Sequence, residues 1–83
     1  MNKKQIEWCE YELTTLFKQL DREDNRMERY EAEGNTEKYA KAARRYDMLS
    51  AKIDGIQAVL HCLGYHSRVN DDWNRVDILK NDY

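Results

Sequence analysis

The sequence predicts a mainly α fold: a long antiparallel two-helix coiled-coil hairpin, with a short C-terminal β-hairpin or short helix packed near the open end. Three observations carry this expectation. Apolar residues recur at steps of three and four through two long stretches, a glycine-containing break separates them, and the two series mirror each other about that break. The 83 residues suffice for one domain, residues 1–83, with no room for a second core.

The first helix is predicted over residues 3–33. From Ile6 the apolar series runs Ile6, Cys9, Leu13, Leu16, Leu20, Met27 and Tyr30, and Glu23 is the one break. With Ile6 as heptad position a, these residues and Glu23 alternate between a and d, the seam of a helix lying along another helix. Asn2 is placed to cap the N-terminus, with Gln5 three residues on completing a capping box. Gly34 can end the helix in the left-handed conformation, and Asn35 or Thr36 can cap the next one.

The second helix is predicted over 36–63, where the seam restarts as Tyr39, Ala42, Tyr46, Leu49, Ile53, Ile56, Leu60 and Leu63. In an antiparallel pair, facing residues have position numbers with a constant sum. Here Ile6 faces Leu63, Leu13 faces Ile56, Leu20 faces Leu49 and Tyr30 faces Tyr39, and all eight such layers add to 69. The four layers toward the termini are aliphatic apart from Cys9. The four toward the loop contain Glu23, Ala42 and three tyrosines, so packing should be looser there. Gly64 is placed as the stop, with Tyr65 folding back on the last turn.

Residues 65–80 admit two readings. As a β-hairpin, Asp71–Asn74 form the turn, Val69 pairs with Val76, and Ser67 pairs with Ile78. As a short helix, Asn70 or Asp71 caps, and Trp73, Val76 and Leu79 form a stripe. The β-branched Val69, Val76 and Ile78 favour the hairpin. Two flanks of the helical pair could receive the tail. One, at c and g positions, offers Trp8, Val59 and Cys62, with Gly55 and Thr15 leaving it shallow. The other, at e positions, offers Phe17, Ala43 and Ser50. The flank left over is a candidate self-association surface, which makes a homodimer one expected assembly.

Composition narrows the function classes. Charged residues are 36% of the chain and the net charge is -2, which speaks against a general polyanion-coating protein. No apolar run approaches the ~20 residues of a membrane span, so no membrane association is expected. The first seven residues lack the apolar core of a secretory signal, so a cytoplasmic location in a reducing compartment is expected, with the two cysteines free. Cys9, His61, Cys62 and His66 do not have zinc-finger spacing, and no cofactor or metal is expected. A thin hairpin offers no pocket for a Cys/His nucleophile pair, and nothing marks an acid–base pair, so no enzyme is expected.

Charge is sorted by flank. Arg22, Arg26, Arg29, Lys38, Lys41, Arg45 and Lys52 fall on the c/g side, whereas Glu7, Glu10, Asp21, Asp24, Glu28, Glu31, Asp47 and Asp54 fall on the b/e side. Such a pattern can simply be a solvated surface, but a ribbon spanning both helices can also dock and orient a partner of opposite charge. The candidate partner-binding residues are therefore Arg22, Arg26, Arg29, Lys38, Lys41 and Arg45, with Tyr30 and Tyr39, because Tyr and Arg dominate interface energies. The weak aliphatic content beneath them suggests that reversing Arg22, Arg26 and Arg45 should leave stability nearly unchanged.

A charged helical hairpin, the Leu63-Gly64-Tyr65 stop and a short Trp73-containing tail together resemble small proteins encoded by bacteriophages and mobile elements. The resemblance implies a cytoplasmic accessory protein of a bacterial host cell, binding a host protein or nucleoprotein complex. It extends to stoichiometric inhibitors of host defence, such as anti-CRISPR proteins. The alternative is a nucleic-acid-binding accessory protein using the basic c/g ribbon.

The register is directly testable. In a background freed of Cys9 and Cys62, cysteine pairs at Leu13 and Ile56, or at Leu16 and Ile53, should cross-link readily. The pair Leu13 with Leu49, displaced by one heptad, should not, and cross-linking of that pair alone would refute the constant sum.

Overall fold

In the computed structural model, residues 1–70 and 75–81 are described. Helix α1 spans Lys3–Glu33 and helix α2 spans Thr36–Cys62; strands β1 (Tyr65–Val69) and β2 (Val76–Lys80) follow. The turn expected at Asp71–Asn74 lies outside the described residues. The two helices pack along their length, and the molecule is a rod of 48 × 23 × 22 Å.

The caps form where the sequence places them. Asn2 Oδ1 accepts from the Gln5 N–H at 2.8 Å, and Gln5 Oε1 accepts from the Asn2 N–H at 3.0 Å, closing the capping box. Gly34 ends α1 at φ 71°, a left-handed conformation that a Cβ would penalise. The Gly34 N–H donates to the Glu31 carbonyl and the Asn35 N–H to the Tyr30 carbonyl, so two of the last carbonyls of α1 are satisfied. Asn35, rather than Thr36, caps α2, accepting from the Lys38 N–H at 3.2 Å.

The seam predicted from the heptads turns inward. Every a and d residue from Ile6 to Leu60 is buried or half-buried, and Leu13, Leu16, Ala42, Ile53 and Leu60 are the buried hydrophobic ones. Leu63 departs from the expectation and is 54% exposed. The helix ends one residue earlier, at Cys62; Leu63 becomes its cap and Gly64 turns the chain at φ 85°, so Leu63 leaves the stripe that faces Ile6.

The tail is the β-hairpin, not the short helix. Val69 pairs with Val76 and Ser67 with Ile78 in an antiparallel ladder, the register the β-branched residues favour. Its inner face carries Tyr65, Val69, Val76 and Ile78, and Val76 and Ile78 join Leu13, Leu16, Ile53 and Leu60 in one core cluster. β1 lies against α2 and β2 against α1.

Of the two candidate flanks, the e side receives the tail. The Val76 N–H donates to Thr14 Oγ1 at 2.9 Å and the Ile78 N–H to Glu10 Oε1 at 3.4 Å, while Gln57 Nε2 donates to Ser67 Oγ at 3.1 Å. Arg75 reaches both Glu10 and Asp77, at 3.8 and 3.0 Å. Thr14 and Glu10 stand one helical turn apart, matching the two-residue step of the outer-edge N–H groups of β2. The exposed edge of a two-stranded sheet is thereby capped by a helix. The c/g flank did not receive the tail: Trp8 and Val59 remain 60% exposed. Among the described residues nothing lies within 4 Å of where a Cβ at Gly55 would stand, and Thr15 Oγ1 donates to its own helix at the Tyr11 carbonyl.

Because Ile78 and Leu60 close this core together, Ile78→Ala and Leu60→Ala should each cost about 2 to 4 kcal/mol in urea titrations. Tyr11→Ala, at a site 69% exposed, should stay within about 0.5 kcal/mol. An Ile78→Ala cost no larger than that of Tyr11→Ala would show that the tail is not part of the core.

Candidate functional site

The candidate site is the loop half of the c/g flank. α1 projects Arg22, Arg26 and Arg29 at three- and four-residue spacing, and α2 projects Lys38, Lys41 and Arg45 beside them. All six are exposed. The structure gathers five of them, all but Arg29, into two hollows that share Arg45. Arg22, Arg26 and Arg45 line the first, of ≈ 350 Å³, together with Glu23 and Met48. Lys38, Lys41 and Arg45 line the second with Tyr30.

Tyr30 is the centre of the second group. The Arg29 guanidinium sits over its ring, 5.0 Å from the centroid, and Lys38 Nζ lies 5.8 Å away. Arg29 Nη2 also donates to the Tyr30 hydroxyl at 3.2 Å. Cations over an aromatic face are held by the ring quadrupole, so the two charges stay near the surface aromatic. Tyr39 is half-buried beside Tyr30 in a further hollow at the Gly34–Asn35 turn. Lys41 pairs with Glu37 at 3.8 Å, both well exposed, a contact of little energetic weight.

Glu23 changes the reading of the first group. It is buried in the seam, where heptad logic expects an apolar d residue. Its Oε1 accepts from Arg26 Nη1, and its Oε2 lies 3.6 Å from Arg45 Nη1. Oε2 accepts no hydrogen bond among the described residues, so that ion pair is its compensation. Two of the six cations therefore neutralise a carboxylate that would be costly to bury alone. The expectation that reversing Arg22, Arg26 and Arg45 leaves stability untouched is corrected here, because only Arg22 of the three is free of that duty. The signal was present in the sequence: a glutamate at a d position, with Arg26 three residues later and Arg45 adjacent to its facing layer.

The acidic ribbon is also partly structural, since Glu10 holds Arg75 and the Ile78 N–H. Cys9 and Cys62 are both free thiols, and burial, followed by the neighbouring Glu12 charge, raises the Cys9 pKa above its ordinary value. Among the described residues, no three of His, Cys, Asp and Glu gather where they could hold a metal ion, and no helix is long and apolar enough to cross a membrane. The flank that the tail did not take carries a groove on its open half, between Trp8 and Val59.

The chain matches no known family model, no curated protein and no solved structure.

The Glu23 cluster yields a thermodynamic cycle. Replacing Arg26 and Arg45 together by Ala should cost about 1 to 2 kcal/mol, discounted from a fully buried pair because both arginines are half-exposed. Glu23→Leu should be neutral or stabilising by about 1 kcal/mol, as apolar replacement of buried ion pairs often is. In the Glu23→Leu background the arginine substitutions should cost almost nothing; an undiminished cost there would mean that the arginines stabilise by other contacts.

Proposed function

We propose that this protein is a non-enzymatic binding module that docks an acidic surface of a protein partner on the loop half of its c/g flank. The observation that carries the reading is the set of cations left over once Glu23 is neutralised. Arg22, Arg29, Lys38 and Lys41 stay exposed on two helices; Arg29 and Lys38 lie over the Tyr30 ring and Lys41 shares its hollow. An exposed ribbon of one sign steers association and sets orientation, and an aromatic ring in its midst supplies contact area. The layout's resemblance to phage and mobile-element proteins supports a cytoplasmic accessory role in a bacterial host, acting stoichiometrically as an inhibitor of a host defence protein.

A second reading has one observation in its favour. An aromatic ring flanked by Arg29 and Lys38 is also the kind of platform on which a nucleobase stacks. The buried Glu23 between the cations and the net charge of -2 favour the protein partner.

The test compares capture from nuclease-treated host extract by the wild type and by a variant with Arg22, Arg29, Lys38 and Lys41 all changed to Glu. These four positions spare the Glu23 pair, so helicity should be kept. The expected result is a protein retained by the wild type at a fixed stoichiometry and lost by the variant. Equal retention by both would place docking elsewhere. Loss of capture on nuclease treatment, with oligonucleotide affinity falling steeply as salt rises, would establish the nucleic-acid reading instead.

A further inference from the structure

A two-stranded sheet has two edges, and only one of them is capped. The Val76 and Ile78 N–H groups point out of β2 and donate to Thr14 and Glu10 on α1. Val76 and Ile78 therefore face Val69 and Ser67 as non-hydrogen-bonded pairs, in which both residues turn their N–H and C=O groups away from the partner strand. The flanking pairs fit that alternation: the Asn81 N–H donates to the Gly64 carbonyl and the Asn70 N–H to the Arg75 carbonyl. Tyr65, Ser67 and Val69 thus direct their N–H and C=O groups out of β1, and those groups have no partner among the described residues. We propose that this edge of β1 receives an extended segment of a partner protein, which adds a third strand to the sheet and carries acidic residues on the face it shares with Arg68.

The groups on the edge select an extended backbone. Donors and acceptors presented by every second residue of a strand match the main chain of another strand. Side chains on both faces narrow the choice. On the inner face Tyr65 and Val69 are half-buried, whereas Val76 and Ile78 beside them are buried, so the apolar cover thins toward β1. A strand added there would cover Tyr65 and Val69 with its own inward residues. The outer face shows His66 and Arg68, both exposed. His66 is held by Asn81, its Nδ1 2.6 Å from Asn81 Oδ1. Asp77, across the ladder from Arg68, pairs with Arg75. Arg68 makes no ion pair among the described residues. An acid beside it on the incoming strand is the cross-strand opposite-charge pair that stabilises sheets.

A second copy does not meet these requirements. Its β2 edge is taken by α1, so it offers only another β1, and Tyr65–Val69 contains no acid to meet Arg68. The difference between the two edges has a local origin. Thr14 and Glu10 bring side-chain oxygens to the β2 edge, whereas Gln57, on the α2 side, donates its amide to the Ser67 hydroxyl and leaves the Ser67 backbone free. An uncapped edge strand is the part of a sheet that pairs with another chain. The β1 edge lies on the tail and not among the loop-half cations, so docking there is independent of the partner proposed above.

Random peptides of about ten residues, displayed and selected on the immobilised full chain, probe the edge without a known partner; β1 itself is five residues long. The enriched peptides should alternate apolar and acidic residues, and on binding should shift the amide resonances of Tyr65, Ser67 and Val69. N-methylation of every second peptide amide should abolish binding in one phase and spare it in the other, because only alternate amides face the edge. Ser67→Pro deletes an outward N–H and leaves the β1–β2 ladder whole. It should keep helicity and weaken binding about tenfold, whereas Ser67→Ala, which loses only the hydroxyl, should bind as the wild type does. Arg68→Glu should lose the acidic peptides and favour basic ones. Absence of any enriched peptide would overturn the proposal, as would binding that tolerates both methylation phases or survives Ser67→Pro in a folded chain. The methylation phases are read on the wild-type chain, so they decide the outcome even if Ser67→Pro does not fold. Self-association that shifts the same amides would make a second copy the occupant and overturn the proposal too.

Discussion

Two helices lying side by side can bury only the stripe between them, and here that stripe must be closed from one flank. Leu13, Leu16, Ile53 and Leu60 share one core cluster with Val76 and Ile78, which cover the seam from that flank. The covering strand brings backbone N–H groups to an edge with no strand beyond it. Thr14 and Glu10 accept from those groups, so apolar burial and hydrogen-bond satisfaction occur in the same contact. Arg75 then offsets the charge of Glu10 and ties the start of β2 to α1. The acid at an e position, which reads as surface solvation in the sequence, is part of how the core is sealed.

Closing one flank at one end divides the rod along its length. The open half has an aliphatic seam plugged by the hairpin. The loop half is held by caps at Gly34 and Asn35, by the tyrosine layers, and by Glu23 with its two arginines. A carboxylate in a helical seam contributes little to stability when paired and costs heavily when unpaired. It does constrain which residue can face it, because a slip of one heptad would carry Arg45 away from Glu23 and leave the charge alone. The pairing of Glu23 with Arg26 and Arg45 is met in the observed register.

The same division sorts the surfaces. On the b/e flank, acids and polar groups receive the tail; on the c/g flank, none of the described residues of the tail docks. The loop end presents cations around Tyr30, and the open end presents Trp8 and Val59 above the seam. One face of the rod therefore carries two chemically distinct exposed areas, one cationic around Tyr30 and one apolar at Trp8 and Val59.

The sequence by itself determined the two helices and their seam up to Leu60, and it favoured the strand register over a short helix, because each depends on patterns that run along the chain. Steps of three and four mark a helical face wherever they occur, Asn2, Gly34 and Asn35 act on their own neighbours, and Val69, Val76 and Ile78 pair across a short loop. The candidate cations were legible for the same reason, since their spacing along each helix places them on one flank. What only the tertiary structure decided was which flank the hairpin would cover and which charges would be consumed. Both flanks carry apolar residues, so periodicity weighs them equally. The choice was made by contacts such as Val76 with Thr14, 62 positions apart in the chain, and by the pairing of Glu23 with Arg45 across the seam. Such contacts depend on the three-dimensional fit of an acceptor to an unpaired donor, or of a cation to a buried acid, and no spacing within one segment encodes that fit.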